Sequence, residues 1–259
     1  MLKDVNETRE FLFDKRIIYR THDQWGDIMV LEKKDYRILA FDPIYEQSCI
    51  NIKLPHIPVH EYTRIMLFAL AFVRPEKITL LGLGGGCLLN TLNFLLPKCS
   101  FYAIELRETV INVAKEYFAL PIGTHVKIRV ADARLELRSC EEGSAQIIFA
   151  DMYHSSGMNP FQMHSKFIKQ CHRILDDSGC LVVNYHKPPD QNLSFIKCLQ
   201  QYFAEVLICP VVGGNYILYA MKSPLNALKS YQETITKLES LLDIKLTHLF
   251  QRVTRIPQK

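Results

Sequence analysis

The segment Ile78–Asn90, with the sequence ITLLGLGGGCLLN, constrains the fold of this chain more than any other. It begins with a short apolar run that predicts a buried strand, and it ends in an apolar pattern typical of a helix. Between the two lie four glycines, Gly82, Gly84, Gly85 and Gly86. Glycine permits positive φ and lets other groups approach the backbone closely. A strand, a glycine turn and the free N–H groups of a helix start together predict a turn against which a ligand lies.

The next predicted strand indicates what kind of ligand this is. Phe101–Ile104 is apolar and leads directly into Glu105. In nucleotide-binding α/β units an acid about 20 residues beyond the glycines accepts hydrogen bonds from the ribose hydroxyls. The glycines alone are also compatible with close packing of a strand on a helix. Together with Glu105 they favour a nucleoside site.

The pattern of the middle of the chain predicts an α/β fold. A helical pattern over residues 58–73 is followed by strands and helices that alternate up to about residue 221. This spacing is typical of a doubly wound, Rossmann-like sheet, mostly parallel, with ligands at the carboxyl ends of its strands. The last two strands, 206–209 and 216–221, are close enough to form a hairpin. We therefore expect the last strand to be antiparallel.

Changes of pattern divide the chain into three predicted regions. Residues 1–57 hold short β-like segments separated by turn residues, which predicts a small N-terminal β-domain. Residues 58–223 form the predicted nucleoside-binding catalytic domain. Residues 224–259 carry an apolar stripe that predicts a C-terminal helical extension, continued by the segment 246–256. Docking onto the catalytic domain is the favoured role of this extension, and a homodimer contact is the alternative.

Composition places the chain among ordinary globular proteins. Its 259 residues are 48% hydrophobic with a net charge of +4, and the basic residues are scattered, so neither a nucleic-acid nor a membrane partner is expected. The eight cysteines include no C-x-x-C pair, which is typical of reduced thiols. No signal sequence and no apolar run of about 20 residues is visible, so we expect a cytoplasmic protein. His56 and His60 lack a third ligand nearby, and no metal site is expected.

Two more predicted strand ends carry acids. Asp132, followed by Ala133, comes after the third strand, where a carboxylate can accept a hydrogen bond from the adenine amino group. Asp151 comes directly after the apolar run Ile147–Ala150. Because this strand end faces the second substrate in a doubly wound sheet, we expect Asp151 to accept a proton from an amine nucleophile or to hold the amine by charge. Capping of a turn is the alternative role.

A polar loop, residues 152–159, follows Asp151 and is too polar to belong to the core. His154 lies in this loop and can titrate near neutral pH. Tyr153 is expected to form a wall of the pocket. The loop is therefore predicted to contact the second substrate.

The order and spacing of six segments resemble the spermidine synthase family of polyamine aminopropyltransferases. These segments are Trp25–Leu31, Asp42–Gln47, Ile78–Gly86, Ala103–Glu105, Ala131–Arg134 and Ile147–Asp151. The resemblance implies a small N-terminal β-domain joined to a catalytic domain of the class I methyltransferase type. It also implies transfer of an aminopropyl group from decarboxylated S-adenosylmethionine to a polyamine such as putrescine.

The resemblance implies roles for particular residues. The residues implied to contact the nucleoside donor are Gln47, Gly82, Gly84, Gly85, Gly86, Glu105, Asp132 and Ala133. The residues implied to contact the amine are His60, Glu61, Tyr153 and His154. Asp151 resembles the family aspartate that helps to deprotonate the attacking amine. A sulfonium is already an activated leaving group, so alignment and a neutral amine are the main requirements.

Several positions depart from the family pattern. Gly85 stands where the family has an aspartate that binds the aminopropyl nitrogen, and His154 stands where the loop has a second acid. His60 and Glu61 replace a tyrosine followed by glutamate or glutamine, and residues 211–214 match a Y-P-S-G stretch only loosely. Three functions stay open: aminopropyl transfer with an altered amine pocket, methyl transfer from intact S-adenosylmethionine, and nucleoside binding without transfer.

Overall fold

The computed structural model describes residues 15–42, 45–154, 157–186 and 193–257, without the side chains of His154 and Leu193. Residues 1–14 of the predicted N-terminal domain and residues 258–259 of the predicted extension lie outside this part of the chain.

The described elements follow the alternation that the sequence predicts. The strands are β1 Arg16–Asp23, β2 Gly26–Lys33, β3 Tyr36–Ala40, β4 Glu46–Asn51, β5 Lys77–Leu81, β6 Ser100–Glu105, β7 Val126–Val130, β8 Ala145–Ala150, β9 Tyr153–His154, β10 Gly157–Met158, β11 Leu175–Tyr185, β12 Glu205–Pro210, β13 Tyr216–Met221 and β14 Thr254–Arg255. The α-helices are α1 Glu61–Met66, α2 Ala69–Phe72, α3 Cys87–Leu95, α4 Glu108–Tyr117, α5 Ala133–Ser139, α6 Ser165–Ile174, α7 Leu193–Tyr202, α8 Gln232–Leu242 and α9 Thr247–Phe250. Short 3₁₀ turns occur at Pro160–Met163 and Leu228–Tyr231.

The first four strands form a separate antiparallel sheet in the order β1-β2-β3-β4. Apolar residues of this sheet, including Ile28, Leu39 and Ile50, pack against Val110 of α4 and against Phe118 just beyond it. A small sheet with one apolar face needs such a partner to be stable. The N-terminal sheet therefore docks onto the helix that follows β6.

The central sheet has eight strands in the order β14-β12-β13-β11-β8-β5-β6-β7. Strands β5, β6, β7, β8 and β11 are parallel, whereas β12, β13 and β14 pair antiparallel. Apolar clusters cover both faces of the sheet, which explains why β5 and β8 read as continuous apolar runs. The predicted α/β class, the mostly parallel sheet and the antiparallel last strands are confirmed.

The structure corrects the predicted helix over residues 58–73. The segment forms two short helices, α1 and α2, separated by a tight turn at Leu67 and Phe68. Both turn residues are fully buried, and the Phe68 ring meets Phe250 edge to face with centroids 5.3 Å apart. Tertiary packing of the turn therefore interrupts the helical pattern that the sequence shows.

The predicted helical continuation over residues 246–256 is also corrected. Only Thr247–Phe250 is helical, and Thr254–Arg255 forms β14. This strand pairs with Leu207 and Ile208 of β12, and the Ile256 amide donates to the Val206 carbonyl at 2.9 Å. The open edge of β12 offers backbone partners that a short helix would leave unused.

The C-terminal extension packs onto the central domain. Leu238, Leu242 and Phe250 belong to the same buried cluster as Ile78 and Leu80 of β5. In the part of the chain that the structure describes, no helix combines the length and apolarity needed to cross a bilayer.

Replacing Phe250 with alanine tests this docking. Phe250 is 4% exposed, so Phe250→Ala should lower the free energy of unfolding by about 3–5 kcal/mol through lost burial and a residual cavity. Urea denaturation followed by circular dichroism measures the change. Leu241→Ala is the matched control, because Leu241 is 60% exposed on α8 and should change stability by less than about 0.5 kcal/mol. Equal effects of the two variants would contradict the docking.

Candidate functional site

The glycine turn follows β5 and lies directly against the end of β8. Gly82 has φ +86°, and a Cβ at this position would lie 2.3 Å from the Asp151 carbonyl oxygen. The Gly82 amide donates to the Ile104 carbonyl, and the Asp151 amide donates to the Leu81 carbonyl, each at 2.9 Å. Only glycine fits this contact. The turn therefore brings the ends of β5, β6 and β8 to one place.

The remaining glycines shape the start of α3. Gly84 and Gly86 have φ of +54° and +74°, in the left-handed region that favours glycine. Gly86 is the N-cap of α3, and a Cβ there would lie 2.3 Å from Leu120 Cδ1. The predicted strand, tight turn and helix start are thus observed, with the first N–H groups of α3 at the turn.

Gly85 lies where the glycine turn packs against the N-terminal sheet. Its amide donates to Ser48 Oγ of β4 at 2.8 Å. A Cβ at Gly85 would lie 2.9 Å from both Ser48 Cβ and Phe118 Cδ1. A longer side chain would overlap these atoms, so an acid at this position does not fit the observed packing.

Glu105 ends β6 beside the turn and is 9% exposed. Its Oε2 accepts a hydrogen bond from the Leu83 amide, and its Oε1 accepts one from the Arg107 amide, both at 3.0 Å. A carboxylate has about four lone-pair sites, so each oxygen retains one for a ribose hydroxyl. The Glu105 carboxylate, with its free lone pairs, and the glycine backbone without side chains are compatible with a bound nucleoside.

Arg107 connects Glu105 to the N-terminal sheet. Its guanidinium donates to both carboxylate oxygens of Asp23 at 2.9 and 2.8 Å, and to the Gly26 carbonyl at 2.8 Å. The Arg107 and Asp23 side chains are 8% and 14% exposed. Two parallel N–H···O bonds fix both position and orientation. The β1–β2 turn is therefore held beside the predicted ribose site.

Asp132 has a structural partner at the start of α5. It accepts a hydrogen bond from the Arg134 amide at 2.8 Å as the N-cap, and its carboxylate pairs with the Arg134 guanidinium. These hydrogen bonds lower the pKa of Asp132, with burial opposing them. Ala133 beside it is buried. Contact of Asp132 and Ala133 with adenine stays a prediction, as does contact of the half-buried Gln47 with the donor.

Asp151 lies in a polar cluster at the end of β8. Its Oδ1 accepts a hydrogen bond from Asn184 Nδ2 at 2.8 Å, and Tyr62 lies near enough to affect its pKa. Burial raises the pKa of Asp151 above its ordinary value, whereas Asn184, His60 and Tyr62 oppose the rise. A carboxylate with a raised pKa is a better proton acceptor than a free aspartate.

Further hydrogen bonds hold the groups around Asp151. The Tyr153 hydroxyl donates to the Asn184 carbonyl at 3.3 Å, and Asn215 Nδ2 donates to Asn184 Oδ1 at 2.9 Å. Burial and the charge of Asp151 raise the pKa of Tyr153. The Tyr153 phenol therefore stays protonated as a hydrogen-bond donor near Asp151.

Sequence patterns did not identify Tyr62 and Asn184 as functional residues. Asn184 is 2% exposed and lies in the otherwise apolar run LVVNY of β11. A polar residue inside a buried strand must find a hydrogen-bond partner, and this was the available signal. Tyr62 offered no such signal, because it shares the apolar face of α1.

His60 and Glu61 have different surroundings although they are adjacent. His60 is close enough to Asp151 to affect its pKa, whereas Glu61 Oε1 accepts from the Val212 amide at 2.9 Å and from Arg252 at 2.8 Å. Glu61 thus connects Val212 of the β12–β13 loop with Arg252 of the C-terminal extension. Amine binding by His60, Glu61 and Tyr153 stays a prediction, and the His154 side chain lies outside the described part of the chain.

Glu46 at the start of β4 is an acid that the sequence analysis did not single out. Its Oε1 lies 2.5 Å from Lys15 Nζ, and its Oε2 lies 3.3 Å from His60 Nε2. Burial alone would raise the pKa of Glu46, but the hydrogen bonds from His60 and Lys15 outweigh burial and lower it. Glu46 is therefore a carboxylate with two nitrogen partners.

Within the described residues, Glu46 also belongs to one group of potential metal ligands, together with Cys49 and His60. A metal there would have to displace the Lys15 ammonium. It would also need the thiolate of Cys49, although burial raises the pKa of that thiol to about 12. These two costs favour a role in hydrogen bonding for this group.

Comparison with protein-family profiles gives no match. Curated relatives span most of the chain. A polyamine aminopropyltransferase from Vibrio vulnificus is 25% identical over 239 residues, which cover 87% of this chain and 79% of the relative. One from Chromobacterium violaceum is 26% identical over 239 residues, with 90% and 91% covered. The chain is related to the polyamine aminopropyltransferases. The predicted resemblance is therefore confirmed.

Solved structures agree with this relationship at the level of the fold. A probable spermidine synthase from Corynebacterium glutamicum superposes with a TM-score of 0.75 at 19% identity, covering 88% of this chain and 94% of that structure. A spermidine synthase in complex with the transition-state analogue AdoDATO gives 0.70 at 16% identity, covering 91% and 84%. Human methyltransferase-like protein 13 in complex with SAH gives 0.63 at 22% identity, covering 73% and 95%. This chain thus has the class I methyltransferase-like fold that these structures share.

Substitution of Gly85 tests the packing between the sheets. Gly85→Ala should lower the free energy of unfolding by about 1–3 kcal/mol, because its Cβ overlaps Ser48 and Phe118. Chemical denaturation measures this change. The double variant Gly85→Ala/Phe118→Leu should be less destabilised than the sum of the two single variants, since the ring no longer fills the space. Additive losses would show that Phe118 and Gly85 do not meet.

Proposed function

We propose that this protein transfers an aminopropyl group from decarboxylated S-adenosylmethionine to a polyamine such as putrescine. The observation on which this proposal rests is the placement of Asp151, a partly buried carboxylate with a raised pKa, at the backbone of the glycine turn. The names of the relatives support aminopropyl transfer over methyl transfer. The methyltransferase-like neighbour supports only the shared fold.

The donor half of the site consists of the glycine turn and Glu105. The donor supplies an activated carbon next to a sulfonium. Glu105 accepts hydrogen bonds from both ribose hydroxyls, and the bare backbone of Gly82 and Gly84 lets the nucleoside lie against the turn. These contacts orient the sulfonium toward the end of β8, where Asp151 lies.

Asp151 acts on the acceptor amine. An alkylammonium has a pKa near that of lysine, about 10.4, so most of the amine is protonated at neutral pH and cannot attack. Asp151 accepts the proton, and the amine nitrogen then forms a C–N bond as the C–S bond breaks. The electron pair of that bond goes to sulfur, which leaves a thioether nucleoside. Asn184 holds the carboxylate in place for this step.

A product assay tests the function. The protein is incubated with each donor in turn, decarboxylated or intact, together with a panel of diamines and polyamines, and products are identified by mass. We expect an aminopropylated amine with the decarboxylated donor. A methylated product from the intact donor, or no product from either, would contradict the proposal.

Asp151→Asn should lower kcat by about 10²–10⁴-fold, because the amide cannot accept the proton. Affinity for the nucleoside donor, measured by calorimetry, should stay within about twofold of the wild type, since Asp151 meets the amine. In the wild type, kcat/KM should fall at low pH as Asp151 is protonated, with an apparent pKa above that of an ordinary aspartate. Asp177→Asn is the control, because Asp177 is exposed. Normal turnover of Asp151→Asn would contradict the role of Asp151 as the proton acceptor.

Glu105→Gln should weaken the binding of the nucleoside donor by about tenfold or more, because hydrogen bonds to a charged group contribute about 1.5–3 kcal/mol. The measurement is the ligand-induced shift in melting temperature, compared at equal ligand concentration. Glu108→Gln provides the comparison, since Glu108 is exposed at the start of α4. Equal ligand-induced shifts in the wild type and Glu105→Gln would contradict the ribose assignment.

A further inference from the structure

Glu46 binds a primary ammonium within the protein itself. Lys15 Nζ lies 2.5 Å from Glu46 Oε1, and the two side chains are 4% and 23% exposed. A lysine ammonium is chemically the same group as the end of an aminopropyl chain. The carboxylate of Glu46 therefore lies in a sheltered environment that already accommodates an alkylammonium.

Glu46 lies on the strand that contacts the glycine turn. Two residues further along β4, Ser48 Oγ accepts from the Gly85 amide at 2.8 Å, and the Cys87 thiol donates to the Cys49 carbonyl at 3.5 Å. Glu46 also contacts His60, which affects the pKa of Asp151. Glu46 thus shares a strand with a residue that contacts the donor turn, and it shares a histidine neighbour with the base.

The donor needs an anion that the turn does not supply. Decarboxylated S-adenosylmethionine ends in a primary ammonium at the tip of the group that is transferred. Gly85 has no room for an acid, and the Glu105 carboxylate lies against the Leu83 amide on the nucleoside side of the turn. Asp151 is required for the proton of the attacking amine. Among these acids, Glu46 is the one left to pair with the donor ammonium.

We propose that Glu46 is the specificity-determining anchor for the primary ammonium of the aminopropyl donor, and that the Lys15 ammonium occupies this position until the donor displaces it. This inference rests on the proposed function, because it takes decarboxylated S-adenosylmethionine as the donor. Glu46, on the N-terminal sheet, thus takes the role that the related enzymes give to an acid at the position of Gly85.

The arrangement also discriminates between the two possible donors. Intact S-adenosylmethionine carries a carboxylate on the same arm, next to its amino group. Bringing this carboxylate to Glu46 places two negative charges together in a sheltered site, which is unfavourable. The decarboxylated donor has only the ammonium and is preferred.

The test measures binding rather than turnover. Calorimetric affinities are obtained for three ligands: the decarboxylated donor, the intact donor, and 5′-methylthioadenosine, which lacks the aminopropyl arm. Glu46→Gln should weaken the decarboxylated donor by about tenfold or more, since one charge-assisted hydrogen bond is lost, and leave 5′-methylthioadenosine within about twofold. Glu32→Gln is the matched control, because Glu32 pairs with two arginines of the same sheet.

A second variant tests the role of Lys15. Lys15→Met removes the competing ammonium and should strengthen binding of the decarboxylated donor, with 5′-methylthioadenosine unchanged. If Glu46→Gln proves too unstable to titrate, Lys15→Met and Glu46→Asp, which keeps the charge, still test the inference. Thermal melts of all variants report their stability separately.

Three outcomes would overturn the inference. One is equal weakening of all three ligands by Glu46→Gln, and another is unchanged affinity for the decarboxylated donor. The third is a rise in the amine KM with donor affinity unchanged, which would assign Glu46 to the acceptor. Failure of the wild type to bind the decarboxylated donor or to form an aminopropylated product would instead contradict the proposed function itself.

Discussion

The close approach of Gly82 to the Asp151 backbone determines the geometry of the whole site. A Cβ at Gly82 would lie 2.3 Å from the Asp151 carbonyl oxygen, so the strand ends of β5 and β8 meet without any side chain between them. In the proposed reaction, the glycine turn presents its backbone to the donor, and Asp151 presents its carboxylate to the acceptor. Under this proposal, one backbone contact positions the groups that meet the two reactants, and alignment is the main requirement of a displacement at a sulfonium carbon.

The second requirement is the position of the N-terminal sheet. Contacts that hold this sheet against the catalytic domain include the Arg107–Asp23 pair, the Ser48–Gly85 hydrogen bond, and the packing of Ile28 and Leu39 on α4. Arg107 also donates its amide to Glu105. Residues from both sheets therefore surround the proposed donor site, and packing of the small sheet helps to position Glu105 and the glycine turn.

The sequence was informative where function follows directly from local pattern. The glycines, Glu105 and Asp151 each follow an apolar run, so the strand ends and their common edge could be predicted. Tyr62, Asn184 and the Lys15–Glu46 pair could not, because their partners lie far away along the chain and meet only through tertiary packing. For the same reason the helix predicted over residues 58–73 was too long: burial of Phe68 against Phe250 breaks it. Local propensity is overridden where a segment has several buried partners.

The short strand β14 has a consequence for how copies of this chain can associate. It covers part of the β12 edge, and in the described sheet β7 forms the opposite edge. Lys127 and Arg129 are exposed on β7, so two such edges brought together would place like charges side by side. Continuation of the sheet from one copy into another is disfavoured at both ends. Copies of this chain are therefore not expected to associate by extending the central sheet.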